Sequence, residues 1–85
     1  MREFNYTITD SEGIHARPAG ELVKVAKNFE SKITIEKDGK VGDCKKIFTI
    51  MGLAVKFGNE VTIKCEGADE DKAYEAISEF MKEKM

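Results

Sequence analysis

The chain has 85 residues, 35% of them charged and 41% hydrophobic, with a net charge of −2. That is enough for one small domain, residues 1–85, with a single core. No apolar run approaches the roughly 20 residues of a membrane span and no secretory apolar stretch follows Met1, so membrane insertion is not expected and a cytoplasmic protein is. The slightly acidic balance, without aromatic residues interleaved among basic ones, argues against nucleic acid as a partner.

Along the chain, Phe4, Tyr6 and Ile8 alternate with Asn5, Thr7 and Thr9, which predicts a half-buried strand, and Asp10 to Gly13 reads as a turn. From Pro18 onward, Ala19, Leu22, Val23, Ala26 and Phe29 fall on one face of a helix. Arg17, Gly20, Glu21, Lys24 and Asn28 take the wet face, with Lys27 at its edge. Ile33 and Ile35 mark a second strand, Asp38-Gly39 a hairpin turn, and a short third strand runs to about Asp43. A short helix is predicted from Lys46 to Ala54. Its Ile47, Phe48, Ile50, Met51 and Leu53 nearly surround the axis, so Ile47, Phe48 and Met51 are expected to reach water and form a protein-docking patch. Overlying loops that cover them are the alternative. After a Gly58-Asn59 turn, Val61, Ile63 and Cys65 form a fourth strand. Asp69 is expected to cap a last helix with Ala73, Ala76, Ile77, Phe80 and Met81 facing inward. The order βαββαβα, with hairpin-length turns, predicts an α+β fold whose antiparallel sheet has one face covered by helices and the other open.

Cys44 and Cys65 lie far apart in sequence and outside any C-x-x-C or zinc spacing, so buried thiols are expected; a disulfide or a metal site is the alternative. Charge is unevenly spread. Residues 66–85 hold seven acids and three lysines, whereas residues 44–58 carry Lys45, Lys46 and Lys56 and no acid. A basic, partly apolar surface of this kind suits an acidic protein partner, although a solvated surface is the ordinary meaning of such a bias.

The most informative segment is Gly13-Ile14-His15-Ala16-Arg17-Pro18-Ala19, which holds the single histidine and the single proline of the chain. It places an imidazole where a helix begins, beside a guanidinium. Unpaired N–H groups and the positive end of the helix dipole there favour an anion. The same positive field keeps an imidazole neutral and nucleophilic, and Pro18 costs the helix no N–H that would have been paired. A histidine that carries phosphate fits these features. A structural histidine, a weak metal site of Asp10, Glu12 and His15, or a base for an unidentified nucleophile are the alternatives. No phosphate-binding lysine loop or dinucleotide fingerprint occurs, and no stand-alone catalysis or cofactor is expected.

That heptapeptide resembles the active-site signature of HPr, the histidine-containing phosphocarrier of the bacterial phosphoenolpyruvate-dependent sugar phosphotransferase system. Lys45 to Leu53, the Gly58 turn and Glu66-Gly67-Ala68-Asp69-Glu70 extend the resemblance over nearly the whole chain. It implies an open-faced β-sandwich, four antiparallel strands with three helices on one side. It also implies that His15 takes a phosphoryl group through Nδ1 from phosphorylated enzyme I and passes it to enzyme IIA domains. Ala16, Arg17 and Pro18 would form the phosphate site, with N–H donation from Ala16 and Arg17 and charge neutralisation by Arg17. Gly20, Lys24, Lys27, Lys46, Ile47, Phe48, Met51 and Gly52 would form the docking face of a monomer. Lys46 departs from the pattern, since the family commonly has a regulatory serine there; regulation by serine phosphorylation is therefore not expected. Glu21, an acid on the wet face, is a second departure and is expected to pair with a nearby lysine. A regulatory relative that binds a protein without moving phosphate, and a small metal-binding module, are the competing readings.

Overall fold

A computed structural model of the chain describes residues 1–14 and 16–85. Its elements are β1 (Arg2–Thr7), α1 (Ala16–Ala26), β2 (Lys32–Lys37), β3 (Lys40–Asp43), α2 (Ile47–Met51), β4 (Glu60–Glu66) and α3 (Glu70–Lys84), the order predicted from the sequence. The strands form one antiparallel sheet in the order β1-β4-β2-β3.

Alternation along the strands sets the two faces. Val61, Ile63 and Cys65 of β4, with Ile33 and Ile35 of β2, are fully buried, whereas Glu60, Thr62, Lys64 and Glu66 point the other way. The register aligns Phe4, Ile63, Ile35 and Gly42 in one row across all four strands. At the end of that row the missing side chain matters, because a Cβ on Gly42 would stand 2.9 Å from the carbonyl oxygen of Thr49. The glycine lets α2 settle directly on the β3 edge. α3 lies over β1 and β4, and α1 packs against both other helices. Leu22 and Ala26 from α1, Ile50 from α2, and Ala73, Ile77 and Met81 from α3 close the core. The outer face of the sheet stays open, with a shallow groove lined by Lys32, Thr34, Glu36, Val41 and Lys64 among others.

The boundaries of α1 and α2 differ from the sequence expectation. α1 begins at Ala16, two residues before Pro18, because a proline anywhere in the first turn loses no intrahelical hydrogen bond. It ends at Ala26, so Phe29 reaches the core from the turn beyond the helix. α2 is only Ile47–Met51, shorter than Lys46 to Ala54. Gly52 is its C-cap, and Ala54 takes a left-handed φ of 52°, which no helix continues through.

Asp69 occupies the N-cap position of α3 but makes no capping bond. Its carboxylate instead accepts the N–H groups of Glu30 and Ser31, each at 2.9 Å, and the buried hydroxyl of Ser31. Cys44 and Cys65 are buried free thiols. Cys65 pairs with Ile33, and the Cys44 N–H donates to the Ile33 carbonyl on the other side. The two cysteines are thus two strand spacings apart, about 10 Å, beyond the roughly 7 Å that a disulfide spans.

Candidate phosphoryl site and docking face

The loop from Ile8 to Ile14 is pinned from two sides. The Thr9 and Asp10 N–H groups donate to the Met85 carbonyl at 2.6 and 2.8 Å, and the Asp10 carboxylate accepts the Glu12 N–H at 2.8 Å. Gly13 turns the chain with φ 70°, and a Cβ there would lie 2.4 Å from the Val55 carbonyl oxygen. That close approach lets the Ile14 N–H donate to the same oxygen at 3.0 Å while the Ile14 side chain enters the core. His15 itself lies outside the described residues. The residues on either side of it are a buried anchor, Ile14, and the first helical residue, Ala16.

By helix geometry the first-turn N–H groups of α1, including those of Ala16 and Arg17, have no partner within the helix. Pro18 is buried and has no N–H, so it can serve a phosphate only by fixing the backbone. The Arg17 side chain is 87% exposed. Its Nε stands 3.9 Å from Glu21 Oε1, one helical turn along. Glu21 therefore pairs with Arg17 rather than with a lysine, a correction to the sequence reading, since an i,i+4 neighbour on the same face is nearest. Asp10, Arg17, Pro18, Glu21 and Lys84 together line a cleft of about 230 Å³. Of the alternative metal grouping, Asp10 holds the Glu12 N–H, and His15 is undescribed.

The expected docking residues come together where α1 meets α2. A Cβ on Gly20 would reach Ile47 Cδ1 at 3.8 Å, so the two helices approach at the glycine. Lys24 on α1 and Lys27 in the turn just beyond it are exposed, and Lys46, Phe48, Met51 and Gly52 are exposed on or beside α2. Phe48 is 86% and Met51 41% exposed, as the crowded apolar periphery of this helix required, while Ile47 is half-buried. Lys46 sits at the N-cap position and provides no capping acceptor. Thr49 helps close the turn, its hydroxyl accepting the Asp43 N–H at 2.9 Å and lying 2.7 Å from the Lys46 carbonyl. The sequence reading missed Phe57, 62% exposed in the loop that backs onto Gly13. Nothing in its local pattern distinguishes an exposed phenylalanine from a core one. No described helix is long and apolar enough to cross a membrane.

An open-faced antiparallel sheet with three helices on one side places the chain in the class of small α+β domains that the solved phosphocarrier structures share. A family model described as the PTS HPr component phosphorylation site matches residues 2–83. The chain is 46% identical over 81 residues to the phosphocarrier protein HPr of Mycoplasma capricolum, covering 95% of this chain and 91% of the relative. It is 42% identical to that of Lysinibacillus sphaericus, covering 98% and 94%. A solved structure of the Mycoplasma histidine-containing phosphocarrier protein superposes with a TM-score of 0.93 at 44% identity, covering 96% of this chain and 93% of that one. The chain belongs to the HPr family of the phosphotransferase system, whose members are phosphocarriers rather than stand-alone catalysts.

Proposed function

We propose that His15 accepts a phosphoryl group from phosphorylated enzyme I and passes it to enzyme IIA domains for sugar uptake. The observation that carries this reading is the start of α1 at Ala16, immediately after the histidine, on a loop held by the Gly13–Val55 contact. A neutral imidazole nitrogen, Nδ1, attacks phosphorus. The N–P bond to His15 forms as the bond to the donor imidazole nitrogen breaks; the donor ring, protonated at its other nitrogen, keeps the bonding electron pair and leaves as neutral imidazole, while the His15 ring retains its Nε2 proton. The Ala16 and Arg17 N–H groups receive the phosphate oxygens, and the Arg17 guanidinium offsets their charge.

Gly20, Lys24, Lys27, Lys46, Ile47, Phe48, Met51 and Gly52 would present one face to donor and acceptors in turn. A shared face favours modest affinity and fast exchange. The working unit is a single cytoplasmic chain. Support for this comes from the pairing of β1 with β4 of the same chain at every position from Arg2 to Thr7, and from two thiols kept unpaired. Dimers are described for the HPr of Thermoanaerobacter tengcongensis and for Crh of Bacillus subtilis, so sedimentation of this chain is the check on its own state.

The deciding experiment incubates the purified chain with phosphoenolpyruvate and enzyme I and follows intact mass. One acid-labile phosphate per chain, absent in His15→Ala, is expected. No adduct from a donor active on another HPr, or an adduct that survives in His15→Ala, overturns the reading.

A further inference from the structure

The cleft beside α1 contains two cations, Arg17 and Lys84, and two carboxylates, Asp10 and Glu21. Asp10 is already engaged by the Glu12 N–H. Glu21 is the carboxylate found within ion-pair distance of Arg17, at 3.9 Å, and its side chain is 41% exposed. We propose that Glu21 is a positioning residue that holds Arg17 along the exposed face of α1 while His15 is unphosphorylated and yields it to the phosphate afterwards. The inference rests on His15 being the phosphoryl acceptor.

The pair is suited to exchange rather than to permanence. It is exposed, its separation is near the limit of an ion pair, and the acid lies C-terminal to the base, the weaker order along a helix. A phosphate carrying close to two negative charges, able to take two guanidinium N–H groups at once, outcompetes a single carboxylate for Arg17. Glu21 therefore acts against the phosphorylated state by holding the guanidinium until the phosphate draws it off. That competition raises the tendency of the phosphorylated chain to give its phosphoryl group away.

The test measures the phosphorylated fraction at equilibrium with enzyme I and a fixed ratio of phosphoenolpyruvate to pyruvate. The chains compared are wild type, Glu21→Gln, Arg17→Ala and the double variant. Glu21→Gln should raise the ratio of phosphorylated to free chain about two- to fivefold at low salt, and most of that gain should vanish in the Arg17→Ala background. The Arg17 Nε resonance should move on phosphorylation of the wild type, and by a smaller amount in Glu21→Gln, where no carboxylate is exchanged. An unchanged ratio, or a gain undiminished without Arg17, overturns the proposal while leaving the carrier reading intact. A wild-type chain that takes no phosphate overturns both.

Discussion

Ala54 holds a backbone conformation that its own side chain opposes. Its φ of 52° lies in the left-handed region, where a Cβ costs about 1–2 kcal/mol. The conformation persists because the turn is tied down, with Lys37 Nζ donating to the Leu53 and Ala54 carbonyls at 3.2 and 3.0 Å. Ala54→Gly should therefore stabilise the protein by about 0.5–1 kcal/mol in urea unfolding, the relieved strain being partly offset by a freer unfolded chain. A loss of stability would show that the turn is not strained. Asp69 makes the opposite kind of local contribution. The Ser31 hydroxyl, then the Glu30 and Ser31 N–H groups, hold its carboxyl below the ordinary 3.8. A depressed folded value stabilises above the unfolded one and is lost as pH falls through the folded one. Asp69→Asn should accordingly lower the urea midpoint at neutral pH, and its deficit should shrink steadily below about pH 4. A deficit that does not change with pH would mean the carboxylate's charge is irrelevant to the contact.

At the scale of elements, α2 is the least self-sufficient. It has five residues, and an N-cap lysine that provides no acceptor and sets a cation at the positive end of the helix. Lys46→Ser should add about 1 kcal/mol of stability by supplying the missing acceptor. The same change should weaken binding to enzyme I at low salt, with the difference disappearing at high salt. Equal affinity of the two forms at low salt would remove Lys46 from the docking face. The strands and the inward stripes of α1 and α3 were legible from the sequence because each repeats a period over several residues, and Val61, Ile63, Cys65 and Ala73, Ile77, Met81 are buried as that period requires. The ends of α2 were not, because apolar residues all round an axis carry no phase, and no glycine marks the left-handed residue that ends the segment. Asp69 misled for a different reason. A capping pattern is local, whereas the partner it chose, Ser31, is 38 residues away. The pairing of Arg17 with Glu21 is implicit in their i,i+4 spacing, although lysines such as Lys24 offer Glu21 competing partners in the same sequence.

Across the whole molecule, the core and the proposed docking face draw on different sides of the same short helix. Ile50 is fully buried and Phe48 is 86% exposed, two residues apart on α2. Ile50→Ala empties part of the core and should cost about 2–5 kcal/mol. Phe48→Ala should change stability by less than about 0.5 kcal/mol, yet weaken enzyme I binding by about tenfold if this aromatic anchors the interface. Calorimetry of binding alongside thermal unfolding separates the two. A destabilised Phe48→Ala with unaltered affinity would assign the residue to the fold instead. Charge is divided on the same plan. Lys24 on α1, Lys27 just beyond it and Lys46 at the start of α2 are exposed, while much of the acid sits on and before α3, partly engaged by Arg2 with Asp71 and by the amino group of Met1 with Glu70.

The two native thiols should be silent to alkylating reagents in the folded state, because burial removes access and pushes both above the ordinary cysteine range. A single cysteine introduced at Thr62, on the uncovered side of the sheet, would thus be the one reactive position on the native protein. A dye placed there is attached away from the helices, and its tumbling would report encounters with a partner without occupying the proposed docking face.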